Sequence, residues 1–133
     1  MNLARQFLAT INGHASDYDG YCLELADDVL HFIEAPDAQI LYIDAPHDYL
    51  RPQQGKAIRS EWRYHAVVFV GGLVHDGWLV EALPVRDYLR KMFSMNGELE
   101  LTYYDPERVE RWVREEDNGN QLEQGARPRK TGR

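Results

Sequence analysis

Three residues carry the chemistry this chain can offer: Cys22, His65 and Asp76. A cysteine attacks carbon as its thiolate, and an ordinary thiol near pKa 8.5 is only about 3% thiolate at neutral pH. Two arrangements raise that fraction: the unpaired N–H groups and partial positive charge of a helix N-terminus, and a neighbouring imidazolium. Cys22 stands where a helix is expected to begin, so its own backbone N–H is a candidate oxyanion donor. It also lies on the apolar stripe of that helix, and an inert buried cysteine is the competing reading.

His65 opens an apolar strand, Tyr64 to Val70, which meets Gly71-Gly72 and returns as Leu73 to Val80. A two-residue glycine link suits the primed turns of β-hairpins. In that register Val70 pairs with Leu73, Val67 faces Asp76 and His65 faces Trp78. Side chains alternate along a strand, so His65, Val67 and Phe69 share a face with Val74, Asp76 and Trp78. Asp76 is then a diagonal neighbour of His65, at about 7–8 Å by Cα. A carboxylate there can accept the second ring proton and fix the histidine tautomer. A slip of one residue would put it on the other face. Glu81 and Asp87 are the substitutes, and a plain turn at Asp76-Gly77 is the structural alternative. His65 and His75 fall on opposite faces and do not converge as metal ligands. His14, His31 and His47 make no pattern, and neither a metal nor a cofactor is expected.

The elements that must hold these residues follow from periodicity. Leu3, Phe7, Leu8 and Ile11 have helical spacing over residues 2–11, with Gly13 as terminator. Ser16-Asp17-Tyr18-Asp19-Gly20 is rich in helix-capping oxygens. The next helix, Tyr21 to Ile33, has Cys22, Leu25, Ala26, Val29, Leu30 and Ile33 on one face, and Ala35-Pro36 ends it. Gln39 to Asp44 reads as a central strand. Ala45 to Glu61, with Pro46, Pro52 and Gly55, shows no regular pattern, and so long a connection is often functional. Pro84 to Ser94 is an amphipathic helix with Val85, Tyr88, Leu89, Met92 and Phe93 inward. Asn96-Gly97 marks a turn, and Glu98 to Tyr104 reads as a half-buried strand. Asp105-Pro106 starts a last helix carrying Val109, Trp112 and Val113. The fold class expected is α+β, one domain over residues 1–116, with a disordered polar and basic tail over 117–133 that ends in Arg127-Pro128-Arg129-Lys130.

Composition narrows the function classes. At 133 residues the chain can bury a core of its own, and 44% hydrophobic with 28% charged residues is ordinary for a globular protein. A net charge of −7 argues against nucleic acid as the main partner. No apolar run approaches the roughly 20 residues that cross a bilayer, and residues 1–8 lack a signal core. The expectation is a cytoplasmic protein without membrane contact, open to export by a specialised machine. A single cysteine excludes an internal disulfide and a multi-cysteine zinc site.

In Gly20-Tyr21-Cys22 with Ala26 and Val29, then His65-Ala66-Val67-Val68, Gly72 and Val74-His75-Asp76, the chain resembles the papain-like cysteine hydrolases, especially the compact branch among bacterial polymorphic-toxin domains. The resemblance spans residues 20 to 93. It implies helices packed on a small antiparallel sheet, with Cys22 as nucleophile, His65 as general base and then acid, and Asp76 as the orienting carboxylate. It implies acyl transfer on protein or peptide amides, as protease, deamidase or transglutaminase. Tyr21, Trp62 and Trp78 are the candidate substrate-binding aromatics. The sequence departs from the family in having no glutamine just upstream of Cys22. Asn12, Gln53 and Gln54 are the available side-chain amides, and Leu23 stands where an aromatic often follows the cysteine.

Two further readings compete. Three tryptophans, eight tyrosines and the acidic balance also suit a non-catalytic immunity or adaptor module that binds a basic protein. A degenerate papain-like scaffold is the third. Substrate and oligomeric state are not written in the sequence.

Overall fold

The structure, a computed structural model, describes residues 1–58, 60–94 and 98–107. It is a mixed α+β fold in which a four-stranded antiparallel sheet lies between two layers. The first layer holds α1 (Leu3–Thr10) and α2 (Cys22–Ile33), joined by a 3₁₀ turn at Ala15–Tyr18. The second holds α3 (Val85–Met92) and part of the 45–62 connection. The strands are β1 (Gln39–Asp44), β2 (Tyr64–Val70), β3 (Leu73–His75) and β4 (Glu100–Tyr104), in the order β3-β2-β1-β4.

Alternation along β1 and β2 builds two cores at once. Ile40, Tyr64, Ala66 and Val68 turn toward α2 and meet Leu23, Ala26, Val29 and Leu30. Leu41, Ile43 and Val67 turn the other way and meet Tyr88 and Met92 of α3 with Leu50 and Trp62. β1 is central, as its near-continuous apolar run predicts. β4 reads from sequence as half-buried but is mostly exposed, because among the described residues it pairs with β1 alone and stands at the end of the sheet. On α2 the buried stripe includes Leu23, while Leu25 is only partly buried.

Val70 pairs with Leu73, Phe69 with Val74 and Val68 with His75. Gly71 and Gly72 between them adopt φ 64° and 80°, the left-handed region where a Cβ is penalised. The expected return strand to Val80 is much shorter. At Asp76 the chain turns, the Leu79 N–H donating to the Asp76 carbonyl at 3.0 Å, and Val74 pairs across to Leu83 instead. Among the described residues, β2 therefore has no strand partner on that edge from Val67 back to Tyr64.

The 3₁₀ turn also departs from expectation. Asp17 Oδ2 accepts the His14 N–H at 2.8 Å, so it caps the 3₁₀ turn, and the N-cap of α2 is Tyr21 with no side-chain cap. The 45–61 connection is held by non-local pairing, Leu50 with Trp62 and Pro52 with Phe93, around a short 3₁₀ turn at Gly55–Ala57. The turn at Asn96-Gly97, the last helix with Val109, Trp112 and Val113, and the 117–133 tail lie outside the described residues. No helix among the described residues is long and apolar enough to cross a membrane.

Candidate active site

The site forms where β3 stops. With no strand among the described residues beside 64–67, α1, the 3₁₀ turn and the start of α2 line that edge of β2 through Ala4, Ala15, Tyr18 and Cys22. A cavity of about 20 Å³ remains there, lined by Cys22, His65 and Asp76 together with Tyr18, Asp19 and Trp78. That is room for about one water. Cys22 comes from the α2 side of the sheet and His65 from the α3 side, so the cavity wraps around the sheet edge. Sequence pattern alone put Asp76 on the face of His65 and left the side from which α2 approaches undecided.

His65 Nε2 meets Asp76 Oδ2 at 3.0 Å, with both side chains buried. The Trp78 N–H donates to Asp76 Oδ1 at 2.9 Å, and the Tyr88 hydroxyl donates to Asp76 Oδ2 at 2.6 Å. The turn at Asp76-Gly77 and the contact with His65 therefore coexist. Burial alone would raise the Asp76 carboxyl, but the charge and hydrogen bond of His65, the Trp78 N–H and the Tyr88 hydroxyl outweigh it and hold it below its ordinary value. Burial, the Asp76 charge and hydrogen bond and then Cys22 raise the Tyr88 phenol well above the usual tyrosine value.

An ionised carboxylate only accepts, so the hydrogen between His65 and Asp76 sits on Nε2. In the neutral ring Nδ1 is then the basic nitrogen. Nδ1 is buried and has no hydrogen-bond partner among the described residues. The ring is fixed from its other sides: Trp62 stacks on it at 4.5 Å between centroids, and Phe93 meets it edge-on at 6.0 Å.

Cys22 is only 5% exposed. Glu81 and Asp87 are exposed, whereas Asp76 is the carboxylate bonded to His65. Of the candidate substrate aromatics, Tyr21 is 59% exposed, Trp78 is half-buried at the cavity and Trp62 has no exposed surface. Trp62 therefore packs behind His65 instead of meeting solvent. Gln53 and Gln54 donate to carbonyls at the C-terminal end of α3, at Arg90, Lys91 and Phe93, and Asn12 is an exposed residue at φ 57° in the turn after α1. None of the three amides lines the cavity.

Two residues at the site escaped the sequence pattern. Tyr88 reads there as one more inward position of an amphipathic helix. Asn2 falls inside the helix expected over residues 2–11 but is the N-cap of α1, accepting from the Ala4 and Arg5 N–H groups at 3.0 and 3.2 Å. Its amide also donates to the carbonyls of Asp76 at 2.8 Å and Leu79 at 3.0 Å, tying α1 to the Asp76 turn. Comparison with family models, curated proteins and solved structures finds no match for this chain.

Proposed function

We propose that the protein is a papain-like thiol hydrolase or acyltransferase acting on protein or peptide amides, with Cys22 as nucleophile, His65 as general base and acid, and Asp76 as the orienting carboxylate. The observation that carries this reading is His65 bound through Nε2 to Asp76, with Nδ1 unpartnered and His65 and Cys22 lining one cavity. That division of the two ring nitrogens is what a thiol–imidazole pair requires.

In the reaction, Nδ1 takes the Cys22 proton and the thiolate adds to the amide carbonyl carbon. Collapse of the adduct breaks the C–N bond, and the proton on Nδ1 leaves with the amine. The thioester is then attacked by water, or by a second amine, whose proton returns through Nδ1 to Cys22. A substrate carbonyl needs more space than one water, so turnover requires the roof over Cys22, formed by Tyr18, Asp19 and Trp78, to open.

The test is the pH dependence of Cys22 alkylation in the native chain and in His65→Ala. An activated thiol reacts with an apparent pKa well below 8.5, which rises on losing His65. A slow thiol with the same profile in both proteins ends the reading. Given a substrate, Cys22→Ala should abolish turnover with the fold intact, and His65→Ala should abolish it too, with lower stability because the buried Asp76 carboxylate loses its partner.

The burial of Cys22 favours a second reading, a non-catalytic acidic module in which the thiol is core. Its signature would be tight, salt-sensitive association with a basic protein, unchanged in Cys22→Ala.

A further inference from the structure

We propose that Tyr88 is a positioning residue of this site, its phenolic hydrogen fixing the same Asp76 oxygen that receives His65 Nε2–H. The inference rests on the thiol-hydrolase reading and adds a fourth side chain to it. Tyr88 lies on α3, on the far side of the sheet from α2, and its side chain is fully buried. Its hydroxyl stands 2.6 Å from Asp76 Oδ2, and His65 Nε2 stands 3.0 Å from the same atom. With the Trp78 N–H on Oδ1 at 2.9 Å, three donors converge on one carboxylate.

This geometry has a chemical consequence. A protonated Asp76 would place a hydrogen between itself and one of these donors. The Trp78 N–H can only donate, and with Asp76 held below its ordinary value and ionised, Tyr88 donates to Oδ2 and the His65 hydrogen stays on Nε2. The lone pair of neutral His65 is thereby kept on Nδ1, and His65 lines the same cavity as Cys22. Without Tyr88, Oδ2 keeps only His65, and the carboxylate can rotate about its χ2 axis, which is soft.

Tyr88→Phe keeps the ring and removes the donor. The experiment measures the His65 tautomer by nitrogen chemical shifts at mildly alkaline pH, and the pH profile of Cys22 alkylation, in the wild type and in Tyr88→Phe. The wild type should show the Nε2–H tautomer. The variant should show a measurable share of Nδ1–H, and alkylation at neutral pH slower by about tenfold, the size of one charge-assisted hydrogen bond expressed as a rate. An unchanged tautomer and an unchanged profile, with only lower stability, would make Tyr88 a core residue and overturn the proposal.

The His65→Ala control separates the two inferences. If alkylation ignores His65→Ala, the hydrolase reading fails, while the tautomer signal still decides the role of Tyr88. If alkylation responds to His65→Ala and neither readout responds to Tyr88→Phe, the positioning role alone fails. Should Tyr88→Phe not fold, the wild-type spectrum decides. A slowly exchanging, downfield Tyr88 hydroxyl proton supports the hydrogen bond, and an Nδ1–H tautomer overturns it.

Discussion

Replacing Asp76 by alanine would strand three buried donors at once: His65 Nε2–H, the Tyr88 hydroxyl and the Trp78 N–H. Leaving such groups unpaired costs about 3–5 kcal/mol, a large share of the stability of a small domain. Asp76→Ala should therefore lower the urea midpoint sharply, whereas Asp76→Asn, of the same shape, should fold and serve for activity. Equal midpoints for wild type and Asp76→Ala would mean the network is not formed in solution. The same carboxylate sets the acid limb of stability. Its folded pKa lies below the ordinary 3.8, so the unfolded chain binds a proton before the folded one does. Its contribution is complete above pH 3.8 and is lost as pH falls through the folded value. In Asp76→Asn that limb should flatten, and an acid limb identical to wild type would sink the assignment. At this scale much of the site was legible. The alternation of β2 and its two-glycine link place His65 and Asp76 on one face from the sequence alone. Tyr88 was not legible, because an inward tyrosine on an amphipathic helix looks the same whether or not its hydroxyl has a carboxylate to meet.

Among the elements, α1 does more than cover the sheet. Asn2 places both amide hydrogens on carbonyls of the Asp76 turn while its oxygen caps α1, and the Arg5 Nε–H reaches the Gly77 carbonyl at 2.9 Å. At Gly77 itself an added Cβ would stand 2.8 Å from Leu8 Cδ1, so α1 and this turn are in close contact. Asn2→Ala removes a helix cap and takes a donor from the Leu79 carbonyl, while the Asp76 carbonyl keeps the Leu79 N–H, a loss of about 1–3 kcal/mol by urea denaturation. A loss within about 0.5 kcal/mol, the range of ordinary surface changes, would show that α1 is not held this way. His75 ties the same elements together, its Nδ1 accepting the Leu3 N–H at 3.0 Å. Burial, and then the charge of the chain's amino terminus, lower the His75 pKa against the raising effect of a Val70 backbone hydrogen bond. The unfolded chain therefore gains its proton first as pH falls through 6.5, and stability declines from there downward. His75→Gln should flatten the stability profile below pH 6.5, and an unaltered slope would exclude His75 as its source. The bounds of α1, α2, β1 and β2 followed from periodicity to within a residue, while the caps of α1 and α2 did not. β3 did not, since apolar Trp78-Leu79-Val80 reads as strand while Asp76 closes a turn with Trp78 and Leu79. The order within the 45–61 connection comes from pairing with Trp62 and Phe93, and local pattern carries no trace of partners that far along the chain.

For the whole molecule, the question is how a thiol 5% exposed, in a cavity of about 20 Å³, meets anything larger than water. It can be reached through global unfolding or through a smaller opening of the roof. Part of the roof belongs to a short segment. Tyr18 and Asp19 sit between Asn12 at φ 57° and Gly20 at φ 89°, two left-handed positions. The Tyr18 hydroxyl bonds Asp28 Oδ2 at 2.9 Å, and burial with that bond raises its pKa to about 12. A 3₁₀ turn of this size buries little apolar surface, since Ala15 is its buried residue. Local openings of such segments lie at the low end of the free-energy scale. The two routes differ in the surface they expose, and the urea dependence of a rate reports that surface. Opening of the roof alone predicts Cys22 alkylation nearly independent of urea below the unfolding transition, rising steeply only within it. Tyr18→Phe, which removes the bond to Asp28, should raise the rate at zero urea severalfold while changing stability by about 1 kcal/mol. If the rate instead follows the global unfolding curve from the first increment of urea, the thiol is reached only in the unfolded chain. A native substrate could then not reach Cys22, and the acidic binding module would become the better account of this fold.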